Sequence, residues 1–234
     1  MKNKLRPIDI ARRLNVSTST LRGYESRGIV PVPERLATGY RVYTEEHLAY
    51  FECIVAMSPG FGMDVTAAVL QNLQQKKLNS ALWLINEVQA ANYEDKKLTI
   101  EVIKHLEHAM DSPNSQHSPM TIGEVSSQAN IPTSTLRYWE KNGYLTSSRN
   151  EHNNYRFFHS DQYIKVLLMK LIQNAVYSDE VVELKNRIRS LAEGDIEEAR
   201  VIVARCQQYL DQRNQQQLHG LHFLYRLCSI LGLN

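Results

Sequence analysis

The sequence predicts a mainly α-helical protein of tandem winged helix-turn-helix domains with small two-stranded β wings, each followed by additional helices. Three observations lead there. A nine-residue signature occurs twice, as Ser17-Thr18-Ser19-Thr20-Leu21-Arg22-Gly23-Tyr24-Glu25 and Pro132-Thr133-Ser134-Thr135-Leu136-Arg137-Tyr138-Trp139-Glu140, at an offset of 115. Asn15 and Asn130, Gly28 and Gly143, and the pairs Tyr40-Arg41 and Tyr155-Arg156 keep that offset without a gap. Repetition at a fixed period marks one supersecondary unit used more than once. The basic residues also gather in two blocks. Residues 1–50 hold nine basic and five acidic groups and residues 119–176 hold six and four, whereas 51–118 and 177–234 are acidic in balance.

Each repeat opens with a short helix. In the second repeat Thr121-Ile122-Gly123-Glu124 is a capping box, in which hydroxyl and carboxylate satisfy each other's orphan backbone amides. In the first, Pro7 takes the first helical position, where its missing N–H costs nothing. That helix runs to about Leu14 or Ala129, and Asn15 or Asn130 supplies the left-handed residue that stops it. A second helix starts at Ser17 or Pro132 and ends before Gly28 or Gly143, completing a helix-turn-helix.

The wing follows. Ile29-Val30-Pro31-Val32 and Tyr40-Arg41-Val42-Tyr43 are expected as strands around the turn 33–39. The second repeat offers Tyr144-Leu145 and Tyr155-Arg156-Phe157-Phe158 around 147–154. A third helix follows from Thr44 or Ser160. With one inserted residue Phe61 faces Tyr177, Val65 faces Val181 and Asn79 faces Asp195. Beyond these, Asp195–Gln217 is expected as a dimerisation helix with Ile196, Ala199, Ile202, Val203, Cys206 and Leu210 on one stripe. Its counterpart is Asn79–Asn92, with Leu82, Trp83, Ile85 and Val88. The expected domains are 1–60 (first winged unit), 61–110 (helical), 111–118 (polar, Pro-bounded linker), 119–176 (second winged unit) and 177–234 (C-terminal helical dimerisation region).

Composition narrows the function. With 234 residues, 43% of them hydrophobic, the chain can bury real cores, which excludes global disorder. The stretch nearest to a membrane span, His222–Leu233, contains Arg226 and is too short, and Met1–Pro7 leads into no apolar run. Three cysteines, odd in number and far apart, suit a reducing compartment, so a cytoplasmic protein is expected. No Gly-rich phosphate loop, nucleophile elbow or convincing carboxylate pair appears, so no enzyme, catalytic residue or cofactor is expected. Cys206, His219, His222 and Cys228 lack metal-ligand spacing, and His105 and His108 read as a solvated pair.

A helix in the major groove presents its first turn to base edges. Thr18, Ser19, Thr133 and Ser134 sit there; N-terminal capping is the equal alternative for each. Arg22 and Arg137 lie one turn on and can reach phosphate or base, against a salt bridge to Glu25 or Glu140 at i+3. Tyr24 and Tyr138 can pack on a core edge and lend a hydroxyl to phosphate, whereas Leu21, Leu136 and Trp139 belong to the core. On the wings Arg41 and Arg156, beside Tyr40 and Tyr155, are expected at the DNA backbone or minor groove, with Arg35 and Arg149 near the tips.

Residues 136–145 (Leu-Arg-Tyr-Trp-Glu-Lys-Asn-Gly-Tyr-Leu) followed by Asn-Tyr-Arg-Phe-Phe at 154–158 resemble the MerR family of bacterial transcription regulators, named for mercury resistance. Leu21–Val30 and Gly39–Tyr43 resemble it again, and Gly60–Val65 looks like that family's link into its fourth helix. The resemblance implies a sequence-specific, double-stranded DNA-binding transcriptional regulator, an activator that distorts its promoter, with RNA polymerase as partner. It also implies pairing through long antiparallel helices. That means either a homodimer through the C-terminal helices or an intramolecular pseudo-dimer of the two halves. The chain departs from the family by carrying the unit twice and by placing Gly23 where the second repeat has Tyr138. Two alternatives stand beside this reading. One is a drug- or small-molecule-sequestering protein with a pocket at 61–110 around Trp83, Tyr93 and Leu106, which competes with a plain core. The other is an architectural DNA-binding protein of excisionase type.

Overall fold

The computed structural model describes residues 4–111, 118–149 and 155–233, with side chains omitted at 108–111. Most of the expected linker, the second wing's turn at 150–154 and the side chain of His108 fall outside the described residues.

The first winged unit comprises α1 (Pro7–Arg13), α2 (Thr18–Ser26), β1 (Glu34–Arg35), β2 (Arg41–Val42) and α3 (Glu45–Phe61). The second comprises β3 (Met120–Thr121), α6 (Ile122–Ala129), α7 (Thr133–Lys141), β4 (Ser148–Arg149), β5 (Arg156–Phe158) and α8 (Ser160–Leu171). Between them lie α4 (Met63–Gln74) and α5 (Leu78–Asp111), and after them α9 (Asp179–Ser190) and α10 (Ile196–Leu231). The capping box of α6 forms in full: the Thr121 amide donates to Glu124 Oε2 at 2.7 Å and the Glu124 amide donates to Thr121 Oγ1 at 3.2 Å. Asn15 and Asn130 both adopt the left-handed region, at φ 52° and 50°, and turn the chain from the first helix to the second.

The wings depart from the expected strands. Ile29 and Val30 are not strand residues; they are buried in the core at 0% and 2% exposure. Pro31 and Pro33 lack the amide a ladder needs, so pairing begins only at Glu34, opposite Val42. Likewise Leu145 is core rather than strand, and the second wing pairs Ser148–Arg149 with Phe157–Arg156. That wing is three-stranded, because Met120–Thr121 adds to the other side of β5. The first wing has only a single bridge there, Leu5 to Tyr43.

Both long helices outrun the segments read from the sequence. The apolar pattern of α5 is interrupted by Asn92, Asp95 and Thr99, which are buried all the same, and resumes at Leu98, Val102 and Leu106. The chain forms two compact bodies: Met1–Ala90 with Gln212–Asn234, and Ala91–Asp211. These cut across the division expected from sequence order, because each long helix is continuous through a body boundary.

In the first body, Leu224, Leu227 and Cys228 of α10 join the core of Leu21, Phe51, Ile54 and Leu70. The contact between α3 and α10 is close. A Cβ at Gly60 would lie 2.6 Å from the Gln217 nitrogen, and one at Gly220 would lie 3.0 Å from the Met57 Cα. The Gly60 carbonyl, near the end of α3, accepts from Arg213 Nε at 3.3 Å and Gln217 Nε2 at 3.1 Å. In the second body, Leu98, Val102 and Leu106 of α5 join Val125, Leu136, Trp139 and Val166. The α10 stripe Ala199, Ile202, Val203 and Cys206 lies in that same core, with Ile196 packed against it.

Two further expectations are corrected here. Trp83 and Leu82 do not lie on the buried face of α5; Trp83 is 72% exposed, while Ala81 and Ile85 face the core. Of the residues expected around a pocket, Trp83 and Tyr93 are exposed and Leu106 belongs to the core of the second body.

Candidate nucleic-acid interface

The start of α2 separates capping from recognition. Ser17, not Thr18 or Ser19, caps the helix: its Oγ accepts from the Thr20 amide at 3.0 Å. Ser19 stays exposed, with its hydroxyl 2.6 Å from that of Ser17, and Thr18 is half-buried. In α7 the capping position is Pro132, whose ring carries no hydrogen-bonding group. Among the described residues, the hydroxyls of Thr133 and Ser134 take part in no hydrogen bond, and Ser134 is exposed.

Arg22 and Arg137 are exposed on the next turn. The alternative of an i+3 salt bridge is not realised, because both glutamates are engaged elsewhere. Glu25 pairs with the wing through Arg41 Nε at 2.8 Å and accepts from the Tyr43 hydroxyl. Glu140 lies 3.0 Å from Arg156 Nε and accepts from the Ser147 hydroxyl. Burial and the Glu25 contact push the Tyr43 phenol well above its ordinary range, so that it stays a donor. Arg41 and Arg156 are therefore partly buried struts between wing and reading helix, not loose cations at the wing edge. Since Arg22 and Glu25 are three residues apart on one helix, each strut ends beside the exposed arginine.

Cross-strand register sets Arg35 opposite Arg41 and Arg149 opposite Arg156. Like charges facing across a ladder repel, and the glutamate offsets this in each wing. Arg35 and Arg149 are exposed, as are Tyr40 at 73% and Tyr155 at 61%. Arg35 Nη1 donates to the Gly39 carbonyl at 3.4 Å.

The helices α2 and α7 differ at three places, Gly23 against Tyr138, Tyr24 against Trp139 and Ser26 against Lys141. Tyr138 stands 61% exposed, where the first repeat has Gly23. A Cβ at Gly23 would meet nothing within 4 Å, so the glycine changes the surface rather than relieving a clash. Tyr24 sits where the second repeat has the buried Trp139. It is half-buried against Phe51, with ring centroids 6.4 Å apart, and burial raises its phenol.

Sequence reasoning missed Ser17, Ser147, Glu25 and Glu140 as parts of this arrangement. The identical place of the two glutamates in both repeats is the signal that could have found them, but i+3 spacing offers only Arg22 and Arg137 as partners and not the wing.

The thiols lie apart from this surface. Burial pushes Cys206 up to about 12 in the second body and raises Cys53 and Cys228 in the first. Such thiols are held protonated, unlike metal-ready thiolates. His105 stacks edge-on against Tyr163. Among the described residues no three His, Cys, Asp or Glu side chains gather as a metal site, and no helix is long and apolar enough to cross a membrane.

Comparison with known proteins bears on the same two segments. Residues 6–43 and 121–158 each match the family described as MerR family regulatory protein. An HTH-type transcriptional regulator of Synechocystis is 38% identical over 30% of this chain and 52% of its own length. The HTH-type transcriptional regulator YfmP of Bacillus subtilis is 26% identical over 44% of this chain and 72% of its own. The HTH-type transcriptional regulator CueR of Escherichia coli is 24% identical over 48% and 75%. The chain thus spans about half to three quarters of the length of these relatives. No solved structure matches. Two segments of this chain, each running from the first helix to the wing arginine and its neighbours, thus match one family, MerR family regulatory protein, in tandem.

Proposed function

We propose that the chain is a sequence-specific, double-stranded DNA-binding transcriptional regulator in which one chain reads two half-sites. The observation that carries this is the repeated arrangement of an exposed arginine on a reading helix beside a wing arginine anchored to that helix. Ser19, Arg22, Arg35, Tyr40 and Arg41 are its contact residues in the first repeat. Ser134, Arg137, Tyr138, Arg149, Tyr155 and Arg156 serve in the second, with Thr18, Tyr24 and Thr133 half-buried behind them. Phosphate contacts from the wing position the helix, and the reading-helix side chains select sequence.

Pairing within one chain is favoured over a homodimer because each compact body is completed by a long-helix segment from the other half of the sequence. Activation follows the family's mode. Binding energy gathered at two half-sites distorts a promoter whose elements are poorly spaced, and RNA polymerase then engages it. The chain acts in the cytoplasm.

Selection of bound duplexes from a random pool, followed by footprinting and sedimentation, tests the reading. A bipartite site with unequal halves, protected at one chain per duplex, is expected. Symmetric half-sites occupied by two chains would replace the one-chain version with a homodimer, and no enriched sequence would end the proposal. Transcription in vitro from the selected site separates an activator from a purely architectural protein.

A further inference from the structure

The first body contains an open cavity of about 580 Å³ where α1, α3 and α10 meet. Its volume falls within the range of small-molecule sites. One wall is apolar: Leu14, Val55, Ala56 and Pro59. Opposite, Gln212, Gln215, Gln216 and His219 follow helical spacing and form one polar stripe of α10. His219 and Phe223 are edge-on, with ring centroids 5.1 Å apart, and give the cavity an aromatic side.

The charge at this place is unusual. Glu52 lines the cavity yet is only 7% exposed. One of its oxygens lies 2.8 Å from Arg13 Nη2 and the other 2.9 Å from Arg226 Nη1. Both oxygens are engaged, so the carboxylate is not free to receive a cation. Two guanidiniums against one carboxylate leave a positive surplus. Arg13, whose side chain is 56% exposed, retains donors that Glu52 does not use.

We propose that this cavity binds a small aromatic carboxylic acid, with its ring against Phe223 and the apolar wall and its carboxylate on Arg13 and the glutamine amides. The site joins α1 of the helix-turn-helix to α10, so a ligand held there touches the unit proposed to read DNA and changes its affinity for duplex. Binding itself is a property of the DNA-free protein and stands apart from the regulatory reading above.

The test uses the full chain without DNA and three probes with one ring system: 2-naphthoate, 2-naphthol and 2-naphthylmethylamine. Calorimetry and thermal melting should show saturable binding of the acid, at least tenfold weaker binding of the alcohol, and none of the amine. Gln215→Trp, placed at an exposed rim position so that the fold is spared, should abolish acid binding with the ligand-free melting temperature unchanged. Arg13→Gln should weaken the acid about tenfold and leave the alcohol unaffected. Absence of saturable acid binding, preference for the amine, or undiminished binding to Gln215→Trp would overturn the site. Once a bound duplex is in hand, an unchanged affinity for it under saturating acid would overturn the coupling.

Discussion

Glu25 and Arg41 stand 2.8 Å apart, on the reading helix and on the wing, and the pair recurs as Glu140 and Arg156 at 3.0 Å. Simple charge counting says that a carboxylate beside a DNA-facing surface weakens binding to phosphate. The geometry assigns it the opposite effect, because it fixes the angle of the wing before DNA arrives and reduces the ordering cost of association. Glu140→Gln should therefore lower DNA affinity, by about three- to fivefold, the upper end for a partly exposed ion pair. Fluorescence anisotropy at fixed salt decides the matter: tighter binding by the variant means that the glutamate is only a repelling charge.

The two repeats should contribute unequally. Arg137→Ala and Arg156→Ala are expected to weaken binding about tenfold or more, and Arg22→Ala and Arg41→Ala by less. The reason is the neighbour: Tyr138 adds an exposed aromatic hydroxyl to the second reading helix, and Gly23 adds nothing to the first. Because Arg156 is assigned to a phosphate, its replacement by alanine should also reduce the slope of log affinity against log salt by about one. Equal affinity of the four variants and the parent in a gel-shift titration would remove these arginines from the interface.

The sequence carried the helix-turn-helix in detail because local chemistry dictates it. Asn15 and Asn130 turn left-handed, Thr121 and Glu124 cap each other, and Leu21 and Leu136 are fully buried. The wing strands were misplaced because Ile29-Val30 and Tyr144-Leu145 are β-prone residues recruited by the core, and tertiary burial outweighs local propensity. The length of α5 was hidden by buried polar residues in its middle, which periodicity reads as an end. The Glu25–Arg41 contact spans sixteen residues, beyond the reach of any helical spacing rule.

Two glycines in the first body should respond to alanine with opposite signs. At Gly60 the added methyl would sit 2.6 Å from the Gln217 backbone nitrogen, which cannot swing aside as a flexible side chain does. Gly60→Ala is expected to cost about 1–3 kcal/mol, typical of overpacking a tight contact. At Gly23, inside α2 with open space around it, alanine should stabilise by about 0.5–1 kcal/mol through helix propensity. Denaturant melts of both variants measure this directly, and a neutral Gly60→Ala would show that α3 and α10 are not held at this separation.

His47 should make the first body sensitive to mild acid. Its Nδ1 accepts from the Thr44 amide at 3.2 Å at the start of α3, and the ring is buried at 8% exposure. Burial lowers its pKa below the ordinary 6.5. The unfolded chain therefore takes up the proton first as the pH falls. The stabilisation is complete above about pH 6.5, declines below it, and is gone once the pH passes the lower folded value. Protonation also converts the capping acceptor into a donor, so the α3 cap and the wing residue Tyr43, which stacks 5.6 Å from His47, loosen together. His47→Asn keeps a capping acceptor that does not titrate. Its melting temperature should fall less between pH 7.5 and 5.5 than that of the parent chain, and parallel curves for the two proteins would assign the acid response to other groups.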